Sequence, residues 1–298
     1  MQRYTLRQLE YLIACIDHGS IAQAAEALNV SQPSVSVAIS KLEDQFGVQL
    51  LYRHHSQGVS PTPSAANILQ SARSLLSHAS DLERQAMLTG TSVAGELRLG
   101  SFATLAPVIL PGLIGALDRE YPEIRLRLRE GTQEVLIDAL RSGDIDLALL
   151  YDLDLPDDLR RLRLSEGAPY VALPEGHPLA RSTAISLKDL SREPLILLDI
   201  PPSRDYFLGL FRSAGITPMI AHRSPSLEMV RGMVGHGLGY TILVTRPHGD
   251  RTYDGRALAI RPLEDSNEPS KIVLARLANL RATRLISCFE RVAQAQMG

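Results

Sequence analysis

The sequence predicts two parts: an N-terminal all-α winged helix-turn-helix with a long linker helix, then a C-terminal α/β domain of two lobes. Three observations carry this. Apolar residues recur at spacings of three and four from Leu6 to Ala86, the period of helices packed on one face. Two short runs near residue 55 flank a polar tip with Gly58, as in a hairpin. From residue 93 onward, apolar strands and amphipathic helices alternate, the order of a parallel sheet covered by helices.

Bulk properties narrow the class. A chain of 298 residues, 45% hydrophobic and 21% charged, matches a soluble globular protein of two or three domains. No run approaches the ~20 apolar residues of a membrane span. Met1–Leu6 lead straight into an amphipathic pattern without the apolar core of a signal peptide, so a cytoplasmic protein with no membrane partner is expected. Net charge is −2, and the first 62 residues set Arg3, Arg7, Lys41 and Arg53 against Glu10, Asp17, Glu26, Glu43 and Asp44. Nucleic-acid binding would therefore rest on a few placed side chains, backbone amides and helix N-termini, not on a basic footprint. Cys15 and Cys288 sit in apolar helical patterns and are expected as buried, reduced thiols.

Leu6, Leu9, Leu12, Ile13 and Ile16 mark a helix over about residues 5–17, ended by His18-Gly19. Ser20 is placed to cap a second helix whose inner face is Ile21, Ala24, Ala25 and Leu28. Asn29 tolerates the left-handed backbone of a tight turn. Ser31 opens a third helix, with Pro33 in its first turn and Val35, Ala38, Ile39 and Leu42 buried. Two short helices across such a turn form a helix-turn-helix, whose second helix meets base edges with its N-terminal residues. Here that start is Ser31-Gln32-Pro33-Ser34-Val35-Ser36, and Gln32 offers adenine both a donor and an acceptor. The hairpin follows as the wing, with Arg53, His54 and Thr62 in reach of phosphates or the minor groove. The pair His54-His55 has no third ligand spaced nearby, so no metal is expected.

Ala65, Ile68, Ala72, Leu75, Ala79, Leu82 and Ala86 then keep a strict 3,4 repeat, the seam of two closely packed helices. A homodimer through this helix would present two recognition helices to a two-fold symmetric site on double-stranded DNA. Thr89-Gly90-Thr91-Ser92 read as a flexible linker.

Residues 4–89 resemble the DNA-binding region of LysR-type transcriptional regulators. The resemblance is carried by Leu9-Glu10-Tyr11, Gly19-Ser20-Ile21, Ala24-Ala25-Glu26-Ala27-Leu28, Ser31 to Ser36, Ile39, Leu42-Glu43, Gly47 to Leu51 and Arg53. It departs at Pro61 and Ala65, where the family usually has Leu and Gly, and at Val37 and Ala38, positions often polar or basic. The resemblance implies contact with bases or phosphates at Gln32, Pro33, Ser34, Ser36 and Arg53. It also implies a bacterial, cytoplasmic, nucleoid-associated regulator that assembles as a homotetramer in the family's manner, with RNA polymerase as a further partner. A small-molecule effector is implied, in a sensor domain resembling periplasmic binding proteins.

Three domains are thus expected: 1–62 for DNA binding, 63–92 as linker and dimerisation helix, and 93–298 for effector binding. By resemblance, lobe I covers about 93–161 and 263–298 and lobe II about 162–262, with crossovers near Leu162 and Pro262. Ligands in open α/β sheets bind beyond the carboxyl ends of strands, beside helix N-termini. The loops there supply Ser101, Phe102 and Thr104, then Thr132 and Gln133, then Ser203 and Arg204; Ser226 opens a later helix. An anionic effector is expected, a carboxylate held by Ser101 and Thr104 with Arg204 adding a bidentate charge.

Catalysis is not expected. There is no nucleophile elbow and no phosphate loop. Lys41, Lys188 and Lys271 lie in no cofactor setting, and Gly232, Gly235, Gly237 and Gly239 follow a helix where a dinucleotide fingerprint follows a strand. No cofactor is implied.

Overall fold

A computed structural model of the chain describes residues 4–54, 58–87, 93–265 and 269–297. The wing tip with His55, the expected linker Thr89–Ser92 and the side chain of Ala86 lie outside the described residues.

The chain begins with α1 (Leu6–Asp17), α2 (Ile21–Ala27) and α3 (Gln32–Phe46). Thr5 and Gln8 exchange side-chain and backbone bonds at the start of α1, a capping box. Ser20 stands at the N-cap of α2 but makes no side-chain bond there. Asn29 has φ 53°, the left-handed turn expected between α2 and α3. Leu9, Leu12, Cys15, Ala24, Ala25, Val35, Ile39 and Leu42 close one core.

Strands β1 (Leu51–His54) and β2 (Gly58–Pro61) form the antiparallel wing. Glu43 fixes its root: its Oε1 accepts from Leu50 N at 2.7 Å and Leu51 N at 3.1 Å. The wing also lies on the α1–α2 turn, where Val59 N donates to Gly19 O at 2.8 Å. Gly58 has φ +89°, and a Cβ there would overlap the Gly19 carbonyl oxygen.

Helix α4 (Pro63–Met87) differs in part from expectation. Ala65 and Ala72 are buried in the helix-turn-helix core, with Ile68, Leu75 and Leu76 packed against it. The first half of the seam is therefore covered by the protomer's own α1, a contact that regular spacing alone does not distinguish from a partner helix. Farther along, Leu82 is 68% exposed. Arg73 joins three segments, pairing with Asp17 of α1 and with Asp144 of the sensor domain. Gly143 receives the Arg73 stem, and a Cβ at Gly143 would lie 3.1 and 3.2 Å from its carbons.

Lobe I runs β3 (Gly95–Phe102), α5 (Ala106–Glu120), β4 (Ile124–Gly131), α6 (Gln133–Ser142), β5 (Leu147–Tyr151) and β6 (Leu159–Gly167). Lobe II runs β7 (Tyr170–Pro174), β8 (Pro194–Leu198), α7 (Ser203–Ser213), β9 (Met219–Ser224), α8 (Leu227–Gly235), β10 (Thr241–Leu243) and β11 (Leu258–Pro262). The chain returns to lobe I as β12 (Ser270–Leu277) and α9 (Arg284–Met297).

The lobe I sheet has the order β4-β3-β5-β12-β6, parallel from β4 to β5 and antiparallel at β12 and β6. In lobe II, β7 lies between β11 and β10, and the parallel pair β8-β9 joins through a bridge between Leu195 and Tyr240. The first crossover, expected near Leu162, lies beyond Gly167, because β6 pairs with β12 along its length. Buried apolar residues of both lobes form one contiguous cluster.

Candidate nucleic-acid interface and inter-lobe cavity

Helix α3 presents its start outward. Gln32, Pro33 and Ser34 are exposed and Ser36 is half-buried, while Val35 on the opposite face is fully buried. Ser31 caps the helix by accepting from Ser34 N at 3.3 Å, and the two hydroxyls lie 2.7 Å apart. Arg53 on the wing donates to Ser40 Oγ of α3 at 3.5 Å, which sets the wing beside the exposed helix face. His54 Nε2 lies 2.7 Å from Ser60 Oγ across the hairpin. Two residues of this face were not among the sequence candidates. Val37 is 54% exposed and apolar, a shape suited to a thymine methyl group, and Ser40 holds Arg53. The resemblance already placed Val37 on this helix, and for Ser40 the helical spacing of seven from Pro33 is the signal that would have found it.

Thr62 is a correction. It is 5% exposed; its Oγ1 donates to Gln49 O at 2.7 Å and accepts from Ala65 N at 3.1 Å. Its hydroxyl ties the wing's end to the start of α4 and is not presented to DNA.

The second site is a cavity between the lobes. It is lined by Thr104, Tyr151 and Ser270 from lobe I and by Ser203, Phe207 and Thr245 from lobe II, among others. Tyr151 Oη hydrogen-bonds Thr245 Oγ1 across the cleft and lies 3.4 Å from Thr104 Oγ1. Tyr170 Oη donates to Thr245 O at 3.1 Å. Burial raises the pKa of both phenols, Tyr170 to about 12, so both stay protonated at neutral pH. As closed, the cavity has a volume of about 10 Å³, room for one water.

The cavity brings together only two of the eight effector candidates, Thr104 and Ser203. Ser101 is fully buried, with Oγ 3.3 Å from Phe102 O, and Phe102 is core, edge-on to the Tyr151 ring at 5.6 Å. Thr132 caps α6 and Ser226 caps α8. Gln133 donates to Leu153 O at 2.6 Å. Arg204 turns away to Asp205 and Asp199, at 3.1 and 3.5 Å, where carboxylates already satisfy it. Sequence reasoning passed over Tyr151, Thr245 and Ser270. Tyr151 ends β5, so the strand-end rule applied to that strand would have found it.

Among the described residues no group of three or more His, Cys, Asp or Glu side chains is placed to hold a metal ion. No described helix is long and apolar enough to cross a membrane.

Comparison with known proteins agrees with both halves of this architecture. Residues 6–66 match the model of the bacterial regulatory helix-turn-helix protein, lysR family, and residues 90–298 match that of the LysR substrate binding domain. The DNA-binding transcriptional dual regulator OxyR of Escherichia coli is 33% identical over 239 residues, 80% of this chain and 78% of OxyR. The crystal structure of HinK, a LysR family transcriptional regulator from Pseudomonas aeruginosa, is 42% identical over 99% of each chain, with a TM-score of 0.67. Full-length OxyR C199D from Pseudomonas aeruginosa is 27% identical over 98% of each chain, with a TM-score of 0.76. The chain therefore belongs to the LysR family of transcription regulators, joining a DNA-binding helix-turn-helix to an effector-binding domain.

Proposed function

We propose that this regulator reads a two-fold symmetric operator with the start of α3 and answers a small molecule bound between the sensor lobes. The observation that carries the DNA half is the exposed polar start of α3 beside the wing that Arg53 holds to Ser40. Gln32, Ser34 and Ser36 reach base edges, Pro33 packs against them, and Arg53 and His54 take phosphates. Two protomers pair through the distal part of α4, where Leu82 is exposed, and pairs assemble into a tetramer. The protein acts in the cytoplasm, on nucleoid DNA, as a non-enzyme that communicates with RNA polymerase. Effector binding in the inter-lobe cavity re-packs the sensor domains and the α4 helices they touch, with coupling of ~1–3 kcal/mol.

Hydrogen peroxide, which names several relatives, does not transfer to this chain through thiol chemistry. Burial pushes Cys15 up to about 11 and raises Cys288 as well, and a reactive thiol needs its thiolate.

Footprinting on DNA flanking the gene, with competitor and a salt titration, tests the reading. Gln32→Ala should lose specific protection by about 1–3 kcal/mol and keep non-specific binding. Equal loss of both would make Gln32 a structural residue.

A further inference from the structure

The inter-lobe cavity differs chemically from the anion seat that the sequence suggested. Its lining side chains are apolar or bear only a hydroxyl, and none is Asp, Glu, Lys, Arg or His. Of the nearby cations, Arg204 pairs with Asp205 and Asp199, Arg246 with Asp250 at 2.7 Å, and the buried Arg231, behind Tyr170, with Glu228 at 3.0 Å; none of the three lines the cavity. Two helix N-termini do reach the wall, α7 at Ser203 and α8 at Leu227. Of the amides there, Met229 N donates to Ser226 Oγ, and Arg204 N and Tyr206 N donate to the carbonyls of Ile200 and Pro202. An ion entering this cavity would lose its water shell and find no charged side chain in the wall.

One polar atom does await a partner. Ser270 is 2% exposed, lines the cavity, and its Oγ makes no hydrogen bond. Thr104, Tyr151 and Thr245 already bond one another. Around them stand Leu198, Phe207, Leu227 and Leu243. We propose that the effector is an uncharged, largely apolar small molecule that gives one hydrogen-bonding group to Ser270 Oγ and its apolar face to the Phe207 wall. This rests on the cavity being the effector site.

Phenol and benzoate serve as probes, sharing a ring and differing in charge at neutral pH. Binding to the full chain is followed by calorimetry and by tyrosine fluorescence, since the chain has no Trp and two tyrosines line the cavity. Ser270→Ala removes an unpartnered hydroxyl and leaves no neighbour without its bond, so the variant should fold. Phenol should bind the parent at least about tenfold more tightly than benzoate, and Ser270→Ala should weaken phenol by about tenfold. Benzoate binding as tightly as phenol would overturn the uncharged class and leave the cavity as the effector site. Phenol binding unchanged in Ser270→Ala would remove Ser270 from recognition and overturn its assignment. If neither probe binds at millimolar concentration, the cavity is not a small-molecule site, and its place in the proposed function falls too.

Discussion

Replacing Thr62 with Ala separates the two roles that the sequence and the structure give this residue. The hydroxyl makes two bonds, to Gln49 O and from Ala65 N, at a position 5% exposed. Loss of a helix cap costs about 1 kcal/mol, and leaving the Gln49 carbonyl without its donor costs about 1 more. The total of roughly 2 kcal/mol, with a urea slope of about 2 kcal/mol/M, lowers the midpoint of the DNA-binding domain by about 1 M. Hydrogen exchange of the first-turn amides of α4, Ala65 and Ala66, followed across a urea series, reads this domain separately from the sensor. Thr62→Ser, which keeps the oxygen, should restore most of the loss. DNA affinity, measured where the domain stays folded, should be unchanged, because no phosphate contact is removed. A loss of DNA affinity of about tenfold with unchanged stability would mean that the Thr62 hydroxyl touches a phosphate, and the capping argument would be refuted.

Arg73→Met keeps the stem that packs on Gly143 and removes the guanidinium between Asp17 and Asp144. Both carboxylates are partly exposed, so the stability change should stay within about 1 kcal/mol. Exchange at the α1, α4 and α6 junction should nonetheless accelerate, and unchanged exchange there would show that the ion pairs do not hold the domains together. The cysteines give a pH test. Both pKa values are raised by burial, so the thiols are protonated through neutral pH and lose their protons only as pH climbs toward about 11 for Cys15. Iodoacetamide should leave the folded chain unlabelled at pH 8, and peroxide should not change its DNA binding; labelling within minutes at that pH would contradict the burial argument.

The helix-turn-helix was legible because its signals are local. Asn29, the capped start of α3 and the small Ala25 each mark one position, and periodicity joins them. The boundary between lobes was harder to read. β6 is an edge strand whose outward Arg160, Arg161, Arg163 and Glu166 hide it from a search for apolar runs. The seam on α4 was read correctly as apolar, but its first half faces α1, and one-dimensional spacing carries no information about which helix answers it. At the cleft, side chains near strand ends were the right place to look. Which of them point inward depends on ion pairs such as Arg204 with Asp205, and on hydroxyl contacts between residues 94 positions apart, as for Tyr151 and Thr245.

The Tyr151–Thr245 bond has a consequence for how much signal the protein needs. If the cavity is the effector site, as proposed, an effector larger than the water-sized space between the lobes meets only those molecules in which the lobes have parted. If about one molecule in a hundred is open, apparent affinity is about a hundredfold weaker than the intrinsic one. Tyr151→Phe, which leaves the shape of the wall and removes the bond, would then shift the concentration at which the regulator responds without altering what it recognises. On the proposed reading, sensitivity and selectivity reside in different atoms of one pocket, and a lineage can retune the first while keeping the second.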